Sequence, residues 1–231
     1  MAASAASPSG VPPRRFRGLL TRIASAVVLA PLCLAAIWYG FPWIDLMAAI
    51  AAPIVVFEWI RLTPGQPVAR ALAVIYGVAA VLALLWLRHQ PNFGRETVIW
   101  IMICVWATDI GAYFVGSLAG GAKLAPGISP NKTWSGLIGG MCISAVASAA
   151  CGWAFDLGDT FSLAVVGVGV AAVAQAGDLV ESAAKRHAGV KDSGHLIPGH
   201  GGLLDRIDGL IAALVGVAVV RLAFGGGWPW A

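Results

Sequence analysis

Three polar residues near the end of a long apolar run have types and a spacing that could serve one chemical task. Asp178, Ser182 and Lys185 are spaced i, i+4 and i+7, so on a helix they lie on one face. A carboxylate, a hydroxyl and an ammonium group stacked in this way could hold a metal ion and a phosphate together. The alternative is a charged helix end from which Lys185 extends to the membrane interface. That alternative does not account for Asp178.

A glycine-rich segment, residues 191–208, follows this face and leads into another apolar run. Its glycines allow the backbone to approach a phosphate closely, and free amides at the start of a helix favour anions. Asp205 and Asp208, at i and i+3, project on one side of that helix start. Two carboxylates beside such a loop require a cation, and hard oxygen ligands suit Mg²⁺. A flexible loop and an acidic helix cap are the alternatives, but with Asp178 nearby the pattern favours a metal–phosphate site.

Asp109 is an ionisable residue inside an apolar run. The free-energy cost of placing its side chain within the membrane must be offset by partners, water or an ion. Asp109, Tyr113 and Gly116 recur at helical spacing and form one stripe. An interhelical hydrogen bond and a role in binding substrate are equally compatible with this pattern.

Other polar and small residues have simpler interpretations. Glu58 and Arg61, at i and i+3, predict an ion pair near the end of an apolar run. His195 and His200 could act as bases or ligands, although loop histidines more often form structural hydrogen bonds. Small residues at four-residue spacing between 136 and 148 predict close helix packing, within one chain or between two.

These residues belong to a chain whose composition is that of a membrane protein. Of its 231 residues, 59% are hydrophobic and 11% are charged, whereas soluble domains average about 25% charged residues. This composition argues against a soluble enzyme, a nucleic-acid-binding protein and a disordered chain. The ten Trp and 29 Gly residues agree, because interfacial aromatics and closely packed small residues are typical of membrane proteins. The four cysteines all lie in apolar runs, without the spacing of a disulfide framework or a zinc site.

Seven apolar runs are long enough to span a bilayer core, which takes about 20 helical residues. The predicted spans are 19–39, 43–62, 69–87, 97–118, 133–155, 161–180 and 207–224. The first could instead belong to a signal peptide, but its length and the lack of a clear A-x-A site favour a retained helix. We therefore predict an all-α, polytopic integral membrane protein with about seven transmembrane helices and a polar site at the cytoplasmic side. The predicted divisions are a flexible cytoplasmic tail over 1–18, N-terminal membrane helices over 19–95 and a catalytic membrane domain over 96–231.

The distribution of Lys and Arg predicts the orientation in the membrane. With the N terminus in the cytoplasm, twelve of the 15 basic residues lie on the inner side, which is the bias that cytoplasmic loops show. The other three are Arg88, Arg95 and Arg221. The segments 119–132 and 181–206 would then face the cytoplasm at the inner membrane of the cell. The net charge of +4 reflects this bias rather than an affinity for nucleic acid.

Longer polar motifs extend these patterns. They read Ser182-x-x-Lys185-Arg186-x4-Lys191-Asp192-x-Gly194 and Pro198-Gly199-His200-Gly201-Gly202-x-x-Asp205-Arg206-x-Asp208. Upstream stretches read Asp109-x-x-Ala112-Tyr113-x-x-Gly116, Lys123-Leu124 and Ser129-Pro130-Asn131-Lys132-Thr133-Trp134-x-Gly136. Together these motifs resemble the signature of the phosphatidate cytidylyltransferases, also called CDP-diacylglycerol synthases. Ser135 differs, because the family commonly has Glu at this position.

The resemblance implies a nucleotidyl transfer in which CTP and phosphatidic acid give CDP-diacylglycerol and pyrophosphate for phospholipid biosynthesis. It implies a requirement for Mg²⁺, with a second cation left open. Asp178, Asp205 and Asp208 would bind the metal, and with Ser182 and Lys185 they would form the catalytic group. The implied substrate-binding residues are Asp109, Ser129, Asn131, Lys132, Arg186, Lys191, His200, Gly201 and Gly202. The expected partners are CTP, phosphatidic acid and the lipid bilayer, but no nucleic acid, and a homodimer is left open.

Two other functions remain alternatives. A related enzyme could use CTP to phosphorylate another lipid, such as a polyprenol or phytol, but the match through 198–202 favours nucleotidyl transfer. A transporter could also carry intramembrane Asp residues and glycine-interrupted helices. The concentration of polar residues on one side and the lack of an inverted repeat argue against a transporter.

Overall fold

The computed structural model describes the backbone of residues 14–225 and the side chains of residues 23–25 and 27–225. This part of the chain contains seven helices and one two-stranded hairpin. In chain order they are α1 (Arg14–Tyr39), α2 (Trp43–Arg61), α3 (Pro67–Arg88), α4 (Gly94–Ala119), β1 (Lys123–Ala125), β2 (Ser129–Thr133), α5 (Trp134–Phe155), α6 (Thr160–His187) and α7 (Leu204–Phe224). Of the predicted tail, residues 1–13 lie outside the described residues, and residues 14–18 belong to α1.

Six of the helices, α2 to α7, are long and apolar enough to cross a membrane. In α1, the apolar part Ile23–Tyr39 is shorter. Large apolar side chains such as Leu72, Val146 and Trp153 lie exposed on the outer helix faces, where lipid would cover them. The predicted all-α class and multi-pass membrane architecture are therefore confirmed.

The structure differs from the predicted spans at the polar ends. The strands β1 and β2 form an antiparallel pair with Lys123 opposite Thr133 and Ala125 opposite Ser129. A sequence as short and polar as Ser129–Thr133 carries no alternating apolar pattern, so periodicity did not predict a strand there. Helix α6 continues to His187 and α7 begins at Leu204, because polar residues extend both helices beyond their apolar runs.

Small residues bring α4, α5 and α6 close together. A Cβ added at Gly136 would lie 2.8 Å from the carbonyl oxygen of Ala112 in α4, and one at Gly140 would lie 2.8 Å from that of Thr108. Further along α5, the hydroxyl of Ser144 donates to the Gly167 carbonyl of α6 at 3.0 Å. The predicted small-residue stripe therefore packs between helices of one chain.

One end of the bundle gathers the α2–α3 connection, the hairpin and the loop 188–203. The Arg186 guanidinium donates to the carbonyl of Ile128 at 3.2 Å, and Gln66 contacts His187. At the opposite end, Arg88 donates to the Ile37 carbonyl at 2.6 Å, close to the α1–α2 turn. Arg95 and Arg221 also lie at that opposite end, over the rings of Trp38 and Trp86. The helix ends thus separate the basic residues into the two groups that the charge distribution predicts.

The close approach of α4 and α5 predicts a stability difference between two glycine variants. Gly140→Ala would place a Cβ against Thr108, whereas Gly169→Ala on α6 meets nothing within 4 Å. We expect Gly140→Ala to destabilise the protein by about 1–3 kcal/mol, as overpacking does. Gly169→Ala should leave stability unchanged or raise it, because Ala favours helix over Gly by about 0.5–1 kcal/mol. Thermal unfolding of the purified protein in detergent measures both, and equal Tm values would contradict the packing described.

Candidate functional site

The polar face of α6 forms as the sequence predicts. Asp178, Ser182 and Lys185 lie along it, and the Ser182 hydroxyl donates to Asp178 Oδ1 at 3.2 Å. A fourth member, Glu181, lies at i+3 from Asp178 and i−4 from Lys185, with its Oε2 2.5 Å from Lys185 Nζ. Glu181 is fully buried. Sequence reasoning missed this residue, although its spacing from both neighbours was the signal that could have found it.

Three carboxylates from two helices come together beside this face. Oxygens of Asp178, Glu181 and Asp208, the last from α7, all lie within 4.8 Å of one another. We call this group the carboxylate cluster. Neither carboxylate oxygen of Glu181 accepts a well-aligned hydrogen bond within the described part of the chain, although Lys185 lies beside it. Hard oxygen donors this close, one of them buried and paired only with Lys185 among the described residues, fit a divalent cation such as Mg²⁺.

The cluster differs from the predicted set of metal ligands, because it contains Glu181 and not Asp205. Asp205 accepts the backbone N–H groups of Ser193, at 2.9 Å, and of Gly202, at 2.8 Å. Its Oδ1 also lies 2.9 Å from Lys185 Nζ. Asp205 therefore holds the loop 188–203 to the start of α7, and Lys185 joins it to Glu181.

Glu58, from α2, is the second acidic residue that holds this loop. Its buried carboxylate accepts the Ser193 hydroxyl at 3.0 Å and the backbone N–H groups of Leu203 and Leu204 at 3.1 and 2.7 Å. The predicted ion pair between Glu58 and Arg61 is wrong, because Arg61 lies over the Phe57 ring instead. The signal for Glu58 was an acidic residue in an otherwise apolar run.

The glycines of the loop make room for these two carboxylates. A Cβ added at Gly194 would lie 2.5 Å from Glu58 Oε1, and one at Gly202 would lie 2.6 Å from the same atom. Gly201, which has a φ of +90°, would place a Cβ 2.7 Å from Asp205 Oδ2. The anions that approach this backbone are therefore side chains of the protein itself. Binding of a phosphate by Gly201 and Gly202 stays a prediction.

A cavity of about 550 Å³ opens beside the cluster, between α4, the hairpin and α6. Asp109, Tyr113 and Gly116, the predicted stripe of α4, line it together with Lys123, Asn131, Lys132, Gln175 and Asp178. Lys132 Nζ lies 2.5 Å from Asp178 Oδ2 and donates to Gln175 Oε1 at 2.8 Å. Gln175 in turn donates to Asp109 Oδ1 at 3.2 Å. Asp178 thus belongs to both the cavity wall and the carboxylate cluster, and Gln175 is a member that sequence reasoning missed.

The remaining predicted site residues lie around this centre in varied roles. Ser129 begins β2 and is partly buried, and Lys191 is exposed with no partner among the described residues. Arg186 donates to the carbonyls of Ile128 and Val190, each at 3.2 Å, and so ties the hairpin to the end of α6. His200 Nδ1 lies 2.8 Å from the Ser25 hydroxyl of α1, and its carbonyl accepts the Arg206 guanidinium. Arg186 and His200 therefore make structural contacts.

Ser135, which stands where the resemblance leads one to expect Glu, joins the end of α4 to the start of α5. Its hydroxyl contacts the Gly120 carbonyl and lies 3.0 Å from the Thr133 hydroxyl. Thr133 caps α5 by accepting the backbone N–H of Gly136 at 3.1 Å. In this chain the position serves the connection between the hairpin and the helices.

Negative charge exceeds positive charge at the site. The lysines that pair with its acidic groups in the described part of the chain are Lys132 and Lys185. The acidic groups are Glu58, Asp109, Asp178, Glu181, Asp205 and Asp208. Carboxylates held together away from bulk water repel one another unless cations balance them or some of them take up protons. A divalent cation bound at the cluster would offset this excess of acidic groups, as would protonation of some of them.

Comparison with known proteins points to one family. The model of the cytidylyltransferase family matches residues 65–224 of this chain. A phosphatidate cytidylyltransferase of Brucella suis is 42% identical over 178 residues, which cover 74% of this chain and 62% of the relative. One of Staphylococcus aureus is 34% identical over 210 residues, covering 85% of this chain and 76% of the relative. One of Haemophilus influenzae is 46% identical over 132 residues, covering 54% of this chain and 46% of the relative.

The cluster predicts a measurable cation site in the purified protein. Mn²⁺ can replace Mg²⁺ as a spectroscopic probe of oxygen ligands. Electron paramagnetic resonance measures the affinity for Mn²⁺. We expect Asp208→Asn to weaken this affinity by more than about tenfold, which is the effect of losing a group that only supports a metal ligand. Asp156→Asn is the control, because Asp156 caps α5 at the opposite end with a φ of 53°, a conformation that Asn tolerates. Unchanged Mn²⁺ affinity in a folded Asp208→Asn protein would exclude the cluster as the cation site.

Proposed function

Because the chain belongs to the cytidylyltransferase family, we propose that it transfers CMP from CTP to phosphatidic acid, giving CDP-diacylglycerol and pyrophosphate. The Brucella and Staphylococcus relatives are named for this activity. The structural observation that carries the proposal is the carboxylate cluster beside a lysine-lined cavity, at one end of a membrane bundle. A site there is accessible both to a water-soluble nucleotide and to a lipid headgroup.

The reaction requires charge neutralisation more than proton transfer. A phosphate oxygen of phosphatidic acid attacks the α-phosphorus of CTP, and the bond from that phosphorus to the β-phosphate oxygen breaks. The attacking oxygen is already anionic at neutral pH, so no general base has to remove a proton. Negative charge develops on the departing pyrophosphate. Cations placed in advance at these oxygens lower the barrier most.

We propose different roles for the residues of the site. Asp178, Glu181 and Asp208 would hold Mg²⁺, which when bound neutralises charge on phosphate oxygens. Lys132 lies at the boundary of the cavity and the cluster, where its ammonium can meet a phosphate. Asp205, expected from the sequence to bind the metal, instead supports the loop through Ser193 and Gly202.

We also propose an orientation of the protein in the membrane. CTP is made and kept in the cytoplasm, so the end with the hairpin and the loop 188–203 would face the cytoplasm at the inner membrane. The excess of basic residues at that end supports this orientation.

Two labels on CTP distinguish the proposed reaction from its main alternative. Purified protein is given phosphatidic acid, Mg²⁺ and CTP carrying tritium in the cytidine or ³²P in the γ-phosphate. Nucleotidyl transfer puts tritium into the lipid fraction, whereas a lipid kinase puts γ-³²P there. We expect tritium alone, and a rate at least about 100-fold lower in Asp208→Asn, as for loss of a preorganised charge-stabilising group. Lipid that carries γ-³²P, or neither label, would refute the proposed reaction.

Labelling of single cysteines tests the orientation. In a background with Cys33, Cys104, Cys142 and Cys151 replaced, Lys191→Cys and Asn92→Cys place exposed thiols at opposite ends of the bundle. A membrane-impermeant maleimide should label Asn92→Cys on spheroplasts and Lys191→Cys only after the membrane is opened. The reverse pattern would show that the loop 188–203 lies outside the cytoplasm.

A further inference from the structure

Glu58 connects the reaction centre to a part of the chain that the family model does not cover. It lies on α2, before residues 65–224, and its side chain is only 3% exposed. The carboxylate nevertheless accepts three hydrogen bonds from the loop 188–203 and the start of α7. The most distant of these donors, Leu204, is 146 residues from Glu58 in the sequence. A buried carboxylate is costly unless donors surround it, and these donors meet that requirement.

Glu58 and Asp205 hold the loop at Ser193 and at its C-terminal end. Ser193 is bound twice, with its N–H donating to Asp205 at 2.9 Å and its hydroxyl donating to Glu58 at 3.0 Å. At the C-terminal end of the loop, Glu58 accepts from Leu203 and Leu204, and Asp205 accepts from Gly202. The two carboxylates therefore close the loop into a fixed shape.

The start of α7 is the element through which Glu58 reaches the carboxylate cluster. Leu204 is the first residue of α7, and Asp208 follows it by one helical turn. The bonds from Leu203 and Leu204 to Glu58 anchor this turn to α2. The negative charge of Glu58 also interacts favourably with the positive end of the α7 dipole. A shift of the first turn would move Asp208 relative to Asp178 and Glu181 on α6.

We infer that Glu58 is a positioning residue of the reaction centre: it sets the place of Asp208 in the carboxylate cluster by anchoring the first turn of α7 and Ser193. The inference rests on the proposed function in taking the cluster as the cation site. The glycines agree with it, because Gly194 and Gly202 leave space that the Glu58 carboxylate fills. The geometry thus assigns a role in the chemistry to α2, which supplies no member of the cluster.

Two substitutions of Glu58 distinguish the loss of its hydrogen-bond acceptors from the loss of its side-chain volume. Glu58→Ala removes all three acceptor contacts, whereas Glu58→Gln keeps the size and one carbonyl oxygen that can accept from the amides of Leu203 and Leu204. Asp45→Ala and Asp45→Asn are matched controls, because Asp45 lies in the first turn of the same helix, at the opposite end, beside His89. All four purified proteins are compared for Tm, for Mn²⁺ affinity without CTP or lipid, and for the Mg²⁺ dependence of turnover.

We expect Glu58→Ala to weaken Mn²⁺ binding by about 10- to 100-fold, as removal of groups that orient metal ligands does. Glu58→Gln should fall between Glu58→Ala and the wild type. Saturating Mg²⁺ should restore most of kcat in Glu58→Gln, because its ligands are present but less well placed. Both Asp45 variants should keep wild-type metal affinity. If Glu58→Ala only destabilised the protein, its Tm would fall. The Mg²⁺ concentration needed for half-maximal turnover would then stay at the wild-type value.

Wild-type Mn²⁺ affinity and Mg²⁺ dependence in folded Glu58→Ala would overturn the inference. If Glu58→Ala does not fold, Glu58→Gln decides, and unchanged metal affinity in that variant overturns it equally. Failure of the proposed function has a different signature. In that case the wild type forms no lipid-linked cytidine, while Mn²⁺ affinity, measured without substrates, still depends on Glu58.

Discussion

The ion pairs of Lys185 connect the two parts of the site, and the geometry of the rest depends on them. Its ammonium lies 2.5 Å from Glu181 and 2.9 Å from Asp205, and the side chains of these two partners are 0% and 4% exposed. Buried carboxylates destabilise a fold unless they are paired. Lys185 therefore allows Glu181 to face the carboxylate cluster while Asp205 faces the loop 188–203. Without this cation the two acidic groups would repel each other where α6 and α7 meet.

Small residues let α6 and α7 approach closely enough for this pairing. Gly177 precedes Asp178, and a Cβ at Gly177 would lie 3.0 Å from the carbonyl oxygen of Asp208. Gly209 follows Asp208, and a Cβ there would lie 3.2 Å from the Ala174 carbonyl oxygen. Each of the two aspartates thus has a glycine as its neighbour at the helix contact. Close backbone packing, which generally drives association of helices in membranes, here also brings the acidic side chains together.

The predictable parts of the site are those that depend on local helix geometry. The face with Asp178, Ser182 and Lys185 follows from residue spacing alone, and so does the position of Asp208 on α7. The i and i+3 spacing of Asp205 and Asp208 predicts that both bind the metal, but in the first turn of α7 the Asp205 side chain contacts the loop instead. Glu58 could not be placed by spacing, because its partner Ser193 is 135 residues away. Such pairing depends on how α2 packs in three dimensions.

The contacts of Glu58 also bear on how the chain divides into functional parts. The sequence suggested a boundary near residue 95, with the catalytic elements after it, and the family model begins at residue 65. Helix α3 packs against both α2 and α7, and the α2 carboxylate closes the start of α7 across that boundary. If α2 were absent, the amides of Leu203 and Leu204 and the Ser193 hydroxyl would lose the acceptor that they share. Helix α2 therefore helps to form the candidate site, although every member of the carboxylate cluster comes from α6 and α7.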